Sequence, residues 1–169
     1  IRLIANLVNY DLPGGSVHEY FAKKFYGVDI VTKEEYKQSK AMSFQVLYGG
    51  VPKELKGIEY FDKVKAYISN LWHIYNNKGY IQTPIFNRRL YKVNLIEMNP
   101  QKLFNYLIQA YETERNIEVM LEVQKLLEDK TSKLILYTYD AFLFDMHESE
   151  MHLKEKIKNL MKFPVKMHI

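Results

Sequence analysis

The chain has 169 residues, 47% of them hydrophobic and 14% aromatic, enough for one domain or two lobes sharing a core, and its 26% charged residues mark it as globular rather than disordered. The absence of cysteine excludes a disulfide framework and any thiolate-bound metal, and fits a reducing compartment. The net charge of +4 makes a polyanion a reasonable partner without identifying one, and no apolar run reaches the ~18 residues that a membrane span needs.

In chain order, Pro13-Gly14-Gly15 marks a loop, and Ser16-Val17-His18-Glu19 has the capping-box spacing that opens a helix to about Phe25. Thr32-Lys33-Glu34-Glu35 repeats that spacing and starts a longer helix, expected to end on Gly49 as a left-handed C-cap. Residues 58 to 75 are amphipathic, with Tyr60, Val64, Tyr67, Ile68 and Leu71 on one side and Trp72 expected in the core. Loop signals follow at Asn76 to Gly79 and at Asn99-Pro100, and then a long helix from Lys102 to Leu127.

The period changes in "KLILYTYDAFLFDM", residues 133 to 146, which has no helical face and is rich in strand formers. It reads as two short strands meeting near Asp140-Ala141. Taken alone, Asp140 fits a solvated turn residue. "FPVKMHI" at the end reads as another strand. Helices first and an antiparallel sheet after make the class α+β.

Two features stand out against this background. Only Arg2, Arg88, Arg89 and Arg115 are arginine among 24 basic residues, and two of the four are adjacent. Such placement fits a need for the guanidinium fork, or chance in a lysine-biased sequence. The second feature is the row Tyr36, Lys40, Phe44, Tyr48, four apart on one helix. It suits a ligand with a polyphosphate at one end and flat rings at the other. From the helix alone, an ordinary amphipathic surface whose lysine snorkels to water fits better.

Lysine, seven residues, then Tyr-Gly, with phenylalanine four after the lysine, resembles motif B of the family A DNA polymerases, the bacterial polymerase I type. "FNYLIQ" is similar to the family's minor-groove pair, "LYTYDAFLFD" to its motif C, and "IRLIANL" followed by "SVHEYFAKKFYGVD" to the run after motif A. The matches come in the family's order over nearly the whole chain.

This resemblance implies a right-hand polymerase fold, with helical fingers packed on an antiparallel palm sheet. Residues 1–10 would be the palm helix after motif A, 11–78 the fingers, and 79–169 palm with the motif C hairpin. It implies template-directed transfer of a nucleotide from a deoxynucleoside triphosphate to a primer 3′-hydroxyl, with two Mg2+ ions held by aspartates. Asp140 becomes the catalytic metal ligand, and Lys40 the triphosphate contact and a possible proton donor to pyrophosphate. Lys37, Phe44 and Tyr48 complete the nucleotide set. Arg88 and Arg89 would contact primer–template DNA, while Asn105 and Gln109 would sense the minor-groove acceptors shared by all base pairs.

Three departures from the family pattern matter. Tyr36 stands where the family has an arginine, leaving Lys37 to take over some phosphate contact. Motif C reads Tyr139-Asp140-Ala141, without its histidine and second carboxylate. The motif A aspartate and the glutamate that excludes ribose fall before Ile1, so the chain is expected to be a viral or phage-like fragment, inactive without an upstream segment or chain, in the host cytoplasm. Two other readings remain: a single-subunit RNA polymerase, and a non-catalytic or split piece that binds primer–template. His147 and His152 lack helix zinc spacing, Pro13 to Ser16 lacks the phosphate-loop pattern, and Glu112 and Glu114 read as structural partners of Arg115 or Lys102.

Overall fold

Helix α1, Arg2–Leu7, is followed by α2, Val17–Tyr26, and α3, Lys33–Gly49. The computed structural model describes residues 1–138 and 141–161, the side chains at 47–49 and 54 excepted. A 3-10 turn, Lys53–Leu55, leads to α4, Glu59–Lys78, and then to strands β1, Tyr80–Gln82, and β2, Arg89–Tyr91. Helix α5, Pro100–Leu126, precedes strands β3, Lys133–Thr138, and β4, Ala141–Asp145, and α6, Leu153–Leu160. Each strand pair is an antiparallel two-stranded sheet. The expected strand at 163–169 lies outside the described residues.

The helix starts follow the chemistry of their caps. Ser16 Oγ accepts from Glu19 N at 3.3 Å, and α2 closes on Gly27 in the left-handed region. Helix α4 closes the same way on Gly79. The expectation for Gly49 is corrected: α3 includes it, and the positive φ of +81° falls on Gly50, whose ψ of −175° extends the chain instead of curling it into a cap. A Cβ on Gly50 would stand 3.0 Å from Gln101 Nε2, so glycine is favoured here by close approach as well as by dihedral.

The chain forms two compact units, the first Ile1–Glu112 and the second from Thr113 on. The first has a core rich in aromatic rings. Phe21 is fully buried, with ring centroids 4.9 Å from Tyr60, 5.0 Å from Phe61 and 5.2 Å from Tyr20. Tyr60, Phe61, Val64, Ile68, Leu71 and Tyr75 turn the inner stripe of α4 onto that core, and Leu103, Phe104 and Leu107 do so for α5. Trp72 is half-buried at the core's edge, stacked on Tyr75 at 5.6 Å.

In the second unit, Val119, Val123, Leu127, Leu153 and Ile157 form the core, with Phe142 and Phe144 packed on it. The β3–β4 hairpin is the one expected from the strand formers, with a bulge between Leu134 and Leu136. Arg115 pairs with Glu118 at 2.6 Å, and Glu114 is buried. Below the hairpin, the Glu150 carboxylate accepts from Ser132 N at 2.8 Å and Thr131 N at 3.1 Å. The Ser132 hydroxyl and then these N–H groups hold its pKa down at about 2. A carboxylate whose folded value is depressed stabilises the fold above its ordinary pKa of 4.5. That contribution is lost as pH falls through about 2. Glu150→Gln is therefore expected to speed amide exchange of Thr131 and Ser132 at neutral pH, with the difference from the parent vanishing near pH 2.

Candidate nucleotide and nucleic-acid site

The phase of α3 is set at its first turn by a complete capping box: Thr32 Oγ1 accepts from Glu35 N, and Glu35 Oε2 accepts from Thr32 N at 2.7 Å. The inward stripe of this helix is Ser39, Ser43 and Val46, all buried. Ser39 Oγ donates to the His18 carbonyl at 2.8 Å and Ser43 Oγ to the Ser39 carbonyl at 2.7 Å, so both hidden hydroxyls are satisfied. Small serines at the contact let α3 lie close on α2.

With that side inward, Tyr36, Lys37, Lys40 and Phe44 are exposed. Lys40 Nζ stands 5.9 Å from the centre of the Phe44 ring. Among the described residues, neither Lys37 nor Lys40 has a carboxylate within ion-pair distance. The structure therefore places Lys40 and Phe44 together on an open face, with Tyr36 and Lys37 one turn away. The Tyr48 side chain lies outside the described ones.

A residue absent from the sequence-based set joins them. His18, on α2, has its ring centroid 5.8 Å from Tyr36 and 5.9 Å from Phe44, and its Nδ1 is buried with no hydrogen-bond partner among the described residues. Burial first, and then the charge of Lys40, lower its pKa below 6.5. Its site therefore favours the neutral ring, and it contributes stability that is present above 6.5 and lost as pH falls through its folded pKa. Its NMR titration midpoint is expected below 6.5 in the protein and, in Lys40→Ala, to rise part of the way back, because burial is the larger cause. No periodicity in α3 could have named His18, since a different helix carries it; only packing brings it here.

Asn105 and Gln109 lie one turn apart on α5, Asn105 half-buried and Gln109 exposed. Gln109 Nε2 donates to Asn105 Oδ1 at 3.3 Å. Arg88 and Arg89 are both exposed at the β1–β2 hairpin, with Arg89 the first residue of β2. Asp140 lies outside the described residues, between the flanking strands ending at Thr138 and starting at Ala141. Among the described residues, no cluster of three or more His, Asp or Glu could hold a metal ion, and no helix is long and apolar enough to cross a membrane. His147 Nδ1 instead pairs with Ser149 Oγ at 2.9 Å.

An open α3 face carrying a lysine over a ring, and a separate hairpin carrying adjacent arginines, belong to an α+β chain with the right-hand polymerase fold. It superposes on the POL domain of Pol1 from M. smegmatis, solved in complex with DNA primer-template and dNTP, with a TM-score of 0.76, 24% identity, and coverage of 97% of this chain and 35% of that one. In sequence the chain is related to DNA polymerase I. It is 28% identical to the Caldicellulosiruptor bescii enzyme over 90% of its own length and 26% identical to that of Bacillus subtilis over 76%. It spans about a fifth of the length of these relatives, 21% and 17% respectively. No protein-family model matches the sequence.

Proposed function

We propose that the chain supplies the nucleotide-handling face and the motif C hairpin of a template-directed DNA polymerase, acting in DNA replication on primer–template DNA and deoxynucleoside triphosphates. The observation that carries this reading is the exposed Tyr36–Lys40–Phe44 row, with neither Lys37 nor Lys40 paired to a carboxylate among the described residues and His18 packed against Tyr36 and Phe44. Lysine offers a point charge to triphosphate oxygens and Phe44 a face to sugar and base, while Tyr48 joins this set by the sequence resemblance alone. Arg88, Arg89, Asn105 and Gln109 supply the contacts to DNA. The division into fingers, 11–78, and palm, 1–10 and 79–169, belongs to the same reading.

The family's chemistry implies Mg2+, which neutralises charge on the transferred phosphate. Asp140 would be one carboxylate ligand, but a single carboxylate does not hold two ions, and the described residues form no such site on their own. Lys40 is the charge this chain itself brings to the leaving phosphates. In this reading the second metal-binding carboxylate comes from another polymerase segment, so the assay pairs the chain with one that carries it.

The test is extension of a labelled primer by that mixture in the presence of Mg2+. Extension with deoxynucleotides and little with ribonucleotides supports a DNA polymerase. Equal use of ribonucleotides would assign the chain to the single-subunit RNA polymerases. Tight binding of primer–template with no extension in any mixture would leave a non-catalytic binding piece. Failure to bind either DNA or nucleotide would overturn all three.

A further inference from the structure

Side chains alternate along a strand, so the β1–β2 hairpin puts Tyr80, Gln82, Arg89 and Tyr91 on one face and Ile81 and Leu90 on the other. Ile81 is buried and Leu90 packs against the first core, which anchors the hairpin from behind. Its stem is tied by Thr83 N to Arg88 O at 3.0 Å, Arg88 N to Thr83 Oγ1 at 2.9 Å and Lys92 N to Gly79 O at 2.8 Å. The outward face is therefore presented on a held support.

On that face, Tyr80 is paired with Tyr91 and Gln82 with Arg89, which makes Tyr80 the diagonal neighbour of Arg89. The Arg89 guanidinium carbon lies 4.8 Å from the centre of the Tyr80 ring, inside the range of a cation–π contact. Its Nη1 donates to the Tyr91 hydroxyl at 3.5 Å, and the two rings are 5.7 Å apart. No carboxylate pairs with Arg89 among the described residues. A long side chain that would otherwise sample many rotamers is laid on one ring and tethered to another.

We infer that Tyr80 and Tyr91 are positioning residues that hold the Arg89 guanidinium face-covered and edge-out, ready to donate to a backbone phosphate of the bound nucleic acid. This rests on the reading of Arg89 as a nucleic-acid contact. The guanidinium edge carries the N–H fork that matches phosphate oxygens, and a ring over its face leaves the edge donors other than the one given to Tyr91 to meet them. Ordering the side chain before binding removes part of the entropic cost of the contact.

The experiment is fluorescence anisotropy of a labelled primer–template with the 169-residue chain across a range of salt. Arg89→Ala is expected to weaken binding and lower the slope of log affinity against log salt by about one. Tyr80→Leu is expected to weaken binding about two- to fivefold, the value of an exposed cation–π contact. Tyr80→Phe keeps the ring and the affinity. In the Arg89→Ala background, Tyr80→Leu has no effect, because there is no guanidinium left to position. An equal Tyr80→Leu loss with and without Arg89, or no loss in the parent, overturns the positioning role while leaving Arg89 as a DNA contact. An Arg89→Ala protein that binds DNA like the parent overturns the reading of Arg89 and the inference with it.

Discussion

Lys40→Ala is expected to weaken deoxynucleotide binding to the protein–primer–template complex by about 10- to 100-fold, the value of a charge-assisted hydrogen bond at ~1.5–3 kcal/mol. The side chain stands over Phe44 with no carboxylate partner among the described residues, so no internal ion pair has to break when phosphate arrives. For the same reason its removal leaves no buried charge behind, and the thermal midpoint is expected to stay within experimental error of the parent. Lys40→Arg keeps the charge but not the compact head, and should recover part of the affinity. A Lys40→Ala protein with parental nucleotide affinity would return α3 to an ordinary solvated helix whose lysine snorkels to water.

The features legible in the sequence were those written in local chemistry. Thr32 with Glu35, and Ser16 with Glu19, announced two helix starts that the hydrogen bonds bear out. The β-branched and aromatic run around 133–146 announced β3 and β4. The β1–β2 hairpin was not foreseen because its strands are three residues each and "TPIFN" between them reads as loop. Helix α6 is hard to read from the sequence although Leu153, Ile157 and Leu160 are spaced four and three apart, because it is only eight residues long and lysines crowd between the apolar positions. The buried side of α3 was illegible for a different reason. Serine counts as polar in any hydrophobic pattern, yet Ser39 and Ser43 are hidden, their hydroxyls satisfied by carbonyls.

The same logic governs the site. The Tyr36–Lys40–Phe44 row could be read because one helix carries it at a fixed spacing. His18 and the Tyr80–Arg89–Tyr91 group could not, since each depends on which element packs or pairs beside which. A row of residues on α3 becomes a candidate binding face only once α2 fills the space behind it, and that depends on the aromatic core beneath.

Phe21→Ala tests that dependence and is expected to cost about 3–5 kcal/mol, the range for emptying a buried phenylalanine site. The ring has no exposed surface and meets Tyr20, Phe25, Tyr60 and Phe61, which belong to two helices and have little freedom to collapse into the space. Phe21→Leu, which keeps most of the volume, should cost less, as hydrophobic swaps that conserve volume cost under ~1.5 kcal/mol. The midpoint of urea unfolding, followed by the signal of Trp72 at the edge of the same core, measures both. Phe21 lies one turn along α2 from His18, so the loss should loosen the support of the α3 face and lower nucleotide affinity in step with stability. Lys40→Ala is expected to separate the two, losing affinity at an unchanged midpoint. If Phe21→Ala lowered stability while nucleotide affinity at low temperature stayed parental, the row on α3 would be sufficient without α2, and His18 would be a bystander in the packing.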